Sequence, residues 1–413
     1  MVSVYTDWPK SAADLLPLPD CDGPKLRPFD FRGQQNIQFL EHIGDGAHAD
    51  VFRVNIGGQI YALKVFRFGI EDRWMAPEHK SDYDSPEAAR AFYNYSEPFC
   101  AECRAYGRLQ EAGHEDLSIQ CFGYVLLDEK HEDSLMKQFP ELRHAINGNY
   151  QTIDSVEIFS RKRFLGKDGR PPPIRCLVKE FGHECDALQA KDAKQILKDI
   201  IRLHQLGIID IDIADRQIIN GKIGDFSTAI TVPHYLTTPA LNPHLAPEWI
   251  SAMEKELFVF SSNDYWVFDA MVDEVNQELS MEHDEEHDEE SGETQNSIRK
   301  KRIEVFAFPP GKGNRPTRYD LRGTTTRARL YTLADPRRYN WRDPVKRGNS
   351  RARPEDGSQK PHQRLQAQPP RWYLDFSRKE AERLRQIAFA GFTNQLAWTF
   401  KEGHIFPTQR PQN

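Results

Sequence analysis

Residues 209–227, IDIDIADRQIINGKIGDFS, place four carboxylates around a short apolar turn, and this stretch decides the predicted fold. Asp210, Asp212 and Asp215 lie on its first segment, and Asp225 follows the strand-like KIG on the second. One acid that accepts a proton and another that holds a divalent ion suit phosphoryl transfer, whose transition state spreads negative charge over phosphate oxygens. Any one of these acids alone would be an ordinary loop residue. The rest of the chain must therefore supply the other parts of such a site.

Length and composition place the chain in the globular class. Its 413 residues and 38% hydrophobic content allow a sizeable core in one large or two coupled domains. No run approaches the roughly 18 apolar residues of a membrane span, and the first residues lack the pattern of a signal peptide. Six cysteines are too sparse for a disulfide scaffold in a chain of this length. We therefore expect reduced cysteines, no membrane partner, and a cytoplasmic or nuclear location.

Charge is distributed unevenly along the chain. Residues 1–281 carry 29 Lys and Arg against 44 Asp and Glu, whereas residues 299–371 carry 20 against 6. Between them, residues 282–293 contain eight acids and no Lys or Arg. This asymmetry indicates either a solvated basic surface that holds the acidic run, or a basic section that binds nucleic acid or an acidic partner. A basic cluster of the type that forms nuclear-import signals is Arg299, Lys300, Lys301 and Arg302.

Alternating apolar residues predict several strands. The first three form an antiparallel meander, because turn signals at GDGA and IGG separate them. The last two are separated by a polar insert at about 128–172. The predicted strands are residues 37–43, 50–56, 59–68, 119–127 and 174–182.

Helices are predicted from the 3.6-residue period and from their capping residues. An irregular segment from Ala88 precedes a helix at about 98–111. A clear amphipathic helix at 192–206 is capped by Asp192 and ends at Gly207. Two further helices are expected near the middle and the end of the chain, one at 262–279 that stops at the acidic run and one that begins at Ser377, with Glu380 in capping-box spacing.

A glycine-rich turn and an unusual lysine precede the acidic stretch. GDGAHADV, at residues 44–51, lets backbone N–H groups approach a phosphate, although an ordinary hairpin turn has the same composition. Lys64 interrupts the apolar strand YALKV, which favours a lysine that faces a cleft over one that faces solvent. Glu102, on the next helix, is its natural ion-pair partner. The flanking Cys100 and Cys103 form a CxxC without a second pair at zinc spacing, so we do not expect a metal there.

The order of these features is more specific than any one of them. Along the chain they run as a Gly-rich turn, Ala-x-Lys, a helix glutamate, an apolar helix with His204, Asp212, Asp-Phe, Ala-Pro-Glu and Asp-x-Trp-x-Phe. Over about residues 38–281 the chain resembles the eukaryotic protein-kinase family. More narrowly, it is similar to a group of fungal kinase-like proteins that carry an ECRAYGRL helix and DFS in place of DFG.

The resemblance implies an α+β, two-lobed protein-kinase-like fold. A small lobe would contain an antiparallel sheet and one key helix, and a larger lobe would be mainly helical. The aromatic residues of the C-terminal section argue for burial, so this section is expected to complete the large lobe. The predicted organisation is an N-terminal extension (1–35), a small lobe (36–182), a large-lobe core (183–281), an acidic disordered linker (282–298) and a basic section (299–413), partly disordered at about 347–369.

The resemblance also assigns roles in binding ATP and Mg²⁺. Asp212 would be the catalytic base, Asp225 and Gln217 the metal ligands, and Lys64 the phosphate contact held by Glu102. The backbone linker that binds adenine would be Glu180 and Phe181. The remaining nucleotide-binding positions that the family pattern implies are Gly44, Gly46, Val51 and Ala62.

The chain departs from the family pattern around the site. Asp210 and Ile211 replace the His-Arg pair before the base, which removes the arginine that binds an activating phosphate. Gln217 replaces an asparagine with a side chain one methylene longer, in a metal site that demands near-octahedral geometry. Ser227 replaces the glycine of DFG, and Arg216 is placed to restore the lost positive charge.

Two main hypotheses follow. The first is a protein-kinase-like phosphotransferase that moves the ATP γ-phosphoryl group to a hydroxyl of a protein substrate. The second is a catalytically weak or inactive pseudokinase scaffold, which the departures favour. A third hypothesis, from another class, is nucleic-acid or acidic-partner binding through residues 299–371.

Overall fold

The chain forms an α+β structure around a five-stranded antiparallel sheet, here described from a computed structural model. The strands run in the order β1-β2-β3-β5-β4. Their bounds are β1 (Ile37–Asp45), β2 (Ala49–Ile56), β3 (Gln59–Phe66), β4 (Cys121–Leu126) and β5 (Arg175–Glu180). The described residues are 4–68, 85–148, 161–183, 188–288, 302–308, 327–342, 363–390 and 396–409.

The predicted meander is confirmed, with boundaries that differ by one or two residues. In β2, Phe52 and Val54 are fully buried, and in β3 Leu63 and Val65 are fully buried. Each apolar row lies on one face of the sheet, because successive strand residues point to opposite faces. Val51 pairs with Lys64 across β2 and β3, so the register places the lysine beside the last residue of the glycine-rich stretch 44–51.

Four helices accompany the sheet in the first half of the described chain. They are α1 (Pro86–Ser96), α2 (Pro98–Ala112), α3 (Glu129–Gln138) and the single turn α4 (Arg143–Ile146). The prediction of irregular structure from Ala88 is wrong, since Ser85 caps α1 by accepting the Ala88 N–H at 3.3 Å. Pro98 then separates α1 from α2, because proline fits the first turn of a helix but not its interior. Two helices lie in the predicted polar insert.

The N-terminal extension is packed as a strap over α2 and β4. Leu26 is fully buried and pairs with Leu18 in an antiparallel bridge. The Phe29 N–H donates to the Tyr124 carbonyl oxygen at 2.8 Å. A Cβ atom on Gly107 of α2 would lie 2.6 Å from the backbone of the strap, so this close approach requires glycine.

Three further helices lie in the second half of the described chain: α5 (Ala190–Gln205), α6 (Pro247–Asp288) and α7 (Arg378–Ala390). Helix α5 starts after Gln189, so Asp192 is not its cap but lies in its first turn. A carboxylate there interacts favourably with the positive end of the helix dipole. Gly207 follows this helix with φ 69°, as predicted. Glu380 donates its N–H to Ser377 Oγ at 3.1 Å, which confirms the predicted start of α7.

Helix α6 is much longer than predicted. It begins at Pro247 and passes through the first acids of the predicted disordered linker to Asp288, because no glycine or further proline interrupts the sequence. The remainder of that linker lies outside the described residues, as do Arg299, Lys300 and Lys301 of the basic cluster. No helix in the described ranges has an apolar stretch long enough to cross a membrane.

In the described ranges, short strands form four two-stranded ribbons, which pair as β6–β9, β7–β8, β10–β11 and β12–β13. The first two ribbons hold the stretch 209–227 in place. Their bounds are β6 (Ile208–Ile209), β7 (Ile218–Ile219), β8 (Lys222–Ile223), β9 (Ile230–Thr231), β10 (Arg327–Thr332), β11 (Trp372–Ser377), β12 (Leu396–Lys401) and β13 (His404–Gln409).

The described part of the basic section packs against α6. Phe258 contacts the ring of Trp372 at 5.0 Å between centroids and that of Phe376 at 5.6 Å. Asn276 accepts the Ile303 N–H and donates to its carbonyl. These contacts join the section to the helical half, an arrangement compatible with a two-lobed fold.

Some arginines of the basic section contact other residues of the same section. Arg329 bonds Asp375 across the β10–β11 ribbon at 2.8 Å, and the guanidinium of Arg371 lies 4.8 Å from the ring centroid of Tyr331. Binding of nucleic acid or an acidic partner by this section stays a prediction. Residues 343–362, which include most of its predicted disordered part, lie outside the described residues.

Candidate functional site

Lys64 is the centre of a buried ionic cluster. Its side chain leaves the middle of β3 and is 6% exposed. Lys64 Nζ lies 2.9 Å from Glu102 Oε2 and 2.7 Å from Asp225 Oδ1. The structure thus places three residues that the sequence analysis selected, from β3, α2 and the segment after β8, in direct contact.

The pKa values in this cluster reflect its charges. Burial alone would lower the pKa of Lys64, but the carboxylates of Asp225 and Glu102 raise it above its ordinary value. Burial alone would raise the pKa of Asp225, but the ammonium groups of Lys64 and Lys179 hold it below its ordinary range. Both groups are therefore charged near neutral pH.

Lys179 is a fourth member of the cluster, and the sequence analysis did not select it. Its ammonium bonds Glu102 Oε1 and donates to the Gly224 carbonyl oxygen at 2.8 Å. Ala62 on β3 pairs with Lys179 on β5, so this lysine enters the cleft beside the third strand. A lysine inside the apolar strand IRCLVKEF is as unusual as Lys64 in YALKV, and that signal could have identified it.

Asp212 lies beside the cluster, at the end of a chain of contacts. Gln217 donates its amide to Asp212 Oδ2 at 3.0 Å, and its backbone oxygen accepts the Gly224 N–H at 2.8 Å across the β7–β8 ribbon. This ribbon brings Asp212 and Gln217 toward the segment that carries Asp225. Arg216 lies 3.4 Å from Asp212, and both side chains are about half exposed or more.

Asp264 of α6 supports the loop that carries Asp212. Its carboxylate accepts the N–H groups of Asp210 and Ile211, at 2.9 and 2.7 Å, and contacts His204 Nε2 at 2.8 Å. Ile211 has φ 77°, a conformation that costs a β-branched residue energy. The Asp264 contacts hold it there.

Asp210 is not the ordinary loop acid that the sequence suggested. Its side chain is 2% exposed, and no hydrogen-bond donor in the described residues reaches either carboxylate oxygen. Burial, followed by the negative charge of Asp264, raises its pKa well above the usual range. Burial thus favours the neutral form of a carboxyl group two residues before the candidate base.

The oxygens available at the site suit magnesium bound together with phosphates. Gln217 Oε1 is buried, and no donor in the described part of the chain reaches it. No group of three or more acids, histidines or cysteines in those residues forms a metal cage. Magnesium is usually bound by one or two carboxylates plus substrate phosphates, so Asp225 supplies the type of ligand that this ion prefers, and Gln217 adds an amide oxygen.

The glycine-rich turn closes over this region. Gly44 pairs with Val51, and a Cβ atom on Gly44 would meet nothing within 4 Å, so the space beside it is open. The Gly46 N–H donates to the carbonyl oxygen of Ala49. His48 Nδ1 lies 3.0 Å from Ser227 Oγ, a contact that glycine at position 227 could not make.

The predicted adenine linker follows β5. The Glu180 N–H donates to the Gln120 carbonyl oxygen at 2.8 Å, so this N–H is not available to a base. Phe181 is half-buried, and the guanidinium of Arg53 lies 5.6 Å from its ring centroid.

Two buried arginines of α2 fix the segment that follows Ser227. Arg104 donates to the carbonyl oxygens of Thr231, at 3.1 Å, and Pro233. Arg108 donates to the Val232 carbonyl oxygen at 2.6 Å. These arginines are four residues apart within ECRAYGRL and point to one face of the helix, a spacing that marks them in the sequence.

Comparison with known proteins identifies one family. No curated protein matches the chain. A family model described as kinetochore Sim4 complex subunit FTA2 matches residues 15–230, just over half of the chain. The matched region includes Lys64, Glu102, Lys179, Asp212 and Asp225. The chain therefore belongs to the kinetochore Sim4 complex subunit FTA2 family.

Proposed function

We propose that this protein is a kinase-like phosphotransferase that binds ATP with Mg²⁺ and transfers the γ-phosphoryl group to a hydroxyl of a protein substrate. The observation that carries the proposal is the contact of Lys64 with both Glu102 and Asp225 in a buried cluster. The family description extends the proposal to a place of action: a protein assembly at the kinetochore, in the nucleus.

Each residue has a distinct role in the proposed reaction. Lys64 would hold the phosphates, and the backbone at Gly44 and Gly46 would cover them. Asp225 and Gln217 would hold magnesium, which neutralises charge on phosphate oxygens. Val51 and Ala62 would border the adenine ring, next to Glu180 and Phe181.

Proton transfer would depend on Asp212. Its carboxylate is 48% exposed, which lets a substrate hydroxyl approach, and the Gln217 amide orients it. Arg216, at 3.4 Å, would add positive charge beside the transferred group. A base within hydrogen-bond reach of the hydroxyl typically contributes about 10²–10⁴-fold to the rate.

A thermal-shift titration tests ATP binding. Saturating ATP should raise the melting temperature of the wild-type protein in the presence of Mg²⁺, and the rise should disappear with EDTA, since ligand bound to the native state stabilises it by about 2.7 kcal/mol at 100 times Kd. Asp225→Asn should lose this rise because it removes the metal ligand. Asp215→Asn, an exposed loop acid, is the matched control and should retain it. Absence of a magnesium-dependent rise in the wild type would contradict the proposal.

The alternative is a pseudokinase scaffold that binds ATP without transferring its phosphate. Two contacts favour the scaffold. The Gln217 amide donates a hydrogen bond to the Asp212 carboxylate, and His48 in the glycine-rich turn contacts the Ser227 hydroxyl. Both would have to rearrange before a substrate hydroxyl and the nucleotide phosphates could meet.

Phosphoryl transfer from labelled ATP distinguishes the two functions. For the kinase, Asp212→Asn should lower transfer by about 10²-fold or more, while Asp210→Asn should retain it. The matched pair controls for carboxylate loss in the same loop. Magnesium-dependent ATP binding without any transfer by the wild type would favour the scaffold instead.

A further inference from the structure

We propose that Lys179 is a positioning residue that anchors Glu102, and with it helix α2, in the cleft independently of Lys64. This role rests on the proposed function only where Lys64 is assigned to the phosphates. Its structural content concerns the protein without nucleotide. The family resemblance supplied no role for a lysine at this position.

The two oxygens of Glu102 take two different lysines. Oε2 contacts Lys64 and Oε1 contacts Lys179, while the Glu102 side chain is fully buried. A buried carboxylate needs compensation for its lost hydration. Lys64 is shared, because it also contacts Asp225 at 2.7 Å. Lys179 is therefore the partner that Glu102 does not have to share with Asp225.

Lys179 also ties Glu102 to the residue before Asp225. Its ammonium donates to the Gly224 carbonyl oxygen, which also accepts the Tyr106 hydroxyl at 3.3 Å. The ammonium lies 5.2 Å from the ring centroid of Tyr106, at a distance typical of a cation–π contact. Lys179 thus connects β5, α2 and the segment that carries Asp225 through one buried group.

The charges of the cluster support the same role. Lys64 and Lys179 balance Glu102 and Asp225, so the four groups together are neutral. Lys179 is 3% exposed, and water therefore screens it little. Without it, two carboxylates would compete for a single lysine. The separation of Glu102 and Asp225 is set by this neutral cluster before any nucleotide or metal binds.

Other contacts also hold α2, and the experiment must separate them from Lys179. The strap lies on its outer side at Gly107, and Arg104 and Arg108 bond the segment after Ser227. These contacts lie at or beyond residue 104. The first half of α2 is also held by the Arg175–Glu97 ion pair at 2.6 Å and by the packing of Phe99 on Phe66, so the two lysines are tested there as the partners of the Glu102 side chain.

Hydrogen–deuterium exchange of the nucleotide-free protein tests the proposal. Lys179→Met should raise exchange at residues 100–106 about tenfold, because Glu102 must then share Lys64 with Asp225. Lys64→Met should raise it no more than about twofold, because Lys179 still pairs with Glu102. Lys179→Arg, which keeps the charge and the donors, should restore protection.

Three outcomes would overturn it. One is a larger effect of Lys64→Met than of Lys179→Met. Another is unchanged exchange in Lys179→Met, which would mean that the strap and the arginines suffice. The last is an equal rise in α5, which reports global rather than local opening. If Lys179→Met does not fold, Lys179→Gln serves in its place. Because no nucleotide is added, a failure of ATP binding would not affect the result.

Discussion

Glu102→Ala is expected to lower the free energy of unfolding by about 3–5 kcal/mol, because it removes the shared partner of two buried ammonium groups. Lys64 would keep Asp225, but Lys179 would lose its direct carboxylate partner and retain, among the described residues, the Gly224 carbonyl oxygen, the ring of Tyr106 and the more distant charge of Asp225. The loss cannot come from helix propensity, since alanine favours a helix more than glutamate does. Equilibrium unfolding in urea measures the difference as a shift of the midpoint at constant slope.

A control on a neighbouring helix separates this effect from the loss of any acid. Glu87 lies exposed in the first turn of α1, and Glu87→Ala should change stability by no more than about 0.5 kcal/mol. Glu102→Gln preserves the shape of the side chain but not its charge, so it should fall between the two. The ionic cluster is not a stabilising unit if Glu102→Ala costs no more than Glu87→Ala.

The pairing of Lys64 with Glu102 was predictable, whereas the second pairing of Glu102 was not. Lys64 interrupts an apolar strand, and the order of motifs points to a single glutamate on the following helix. The contact with Lys179 depends on β5 lying between β3 and β4, a non-local arrangement that strand periodicity does not encode. Lys64 already accounts for the charge of Glu102 in the sequence, so the sequence does not indicate a second lysine partner for it.

The same limit explains the errors in the fold. The packing of the strap was not predicted, because it is held by tertiary contacts, such as the close approach at Gly107, and its own sequence has little periodicity. Helix α6 runs on because the acids after residue 281 do not break a helix, although their charge and composition are typical of disordered segments. The meander was predicted well because hairpin turns and alternation are local signals.

Burial also distinguishes two acids that look alike in the sequence. Asp210 and Asp212 are separated by one residue, yet Asp210 is 2% exposed and the Asp212 side chain is 48% exposed. The positive φ of Ile211 accounts for this, because it turns the chain between the two side chains. Register with the motifs identified Asp212 as the candidate base, but only the structure shows that Asp210 is a buried group whose charge matters for stability.

Asp210→Asn is expected to stabilise the protein at neutral pH, with a gain that grows as pH rises. The charged groups that act on Asp210 are all carboxylates. They are Asp264 from α6, Asp225 after β8, Asp212 in the same loop, and Glu102 from α2. Burial, together with these charges, raises the pKa of Asp210 in the folded state. Its pKa in the unfolded state is about 3.9.

The sign of the pH effect follows from this difference. Below the unfolded pKa both states hold the proton, and Asp210 adds no pH dependence. At higher pH the unfolded state releases the proton while the folded state keeps it, so the wild type loses stability. Asparagine cannot ionise and avoids that loss. Each unit by which the folded pKa exceeds the unfolded one corresponds to about 1.4 kcal/mol, which sets the scale of the expected gain near pH 8.

Urea unfolding of both proteins at pH 4, 6 and 8 measures this effect. The difference between Asp210→Asn and the wild type should be smallest at pH 4 and should increase toward pH 8. Asp215→Asn, in the exposed part of the same loop, should show no such trend. A difference that is constant with pH, or that favours the wild type more as pH rises, would mean that the folded protein stabilises the charged form of Asp210. In that case a donor outside the described residues reaches this carboxylate, and the raised pKa of Asp210 in the folded protein would be refuted.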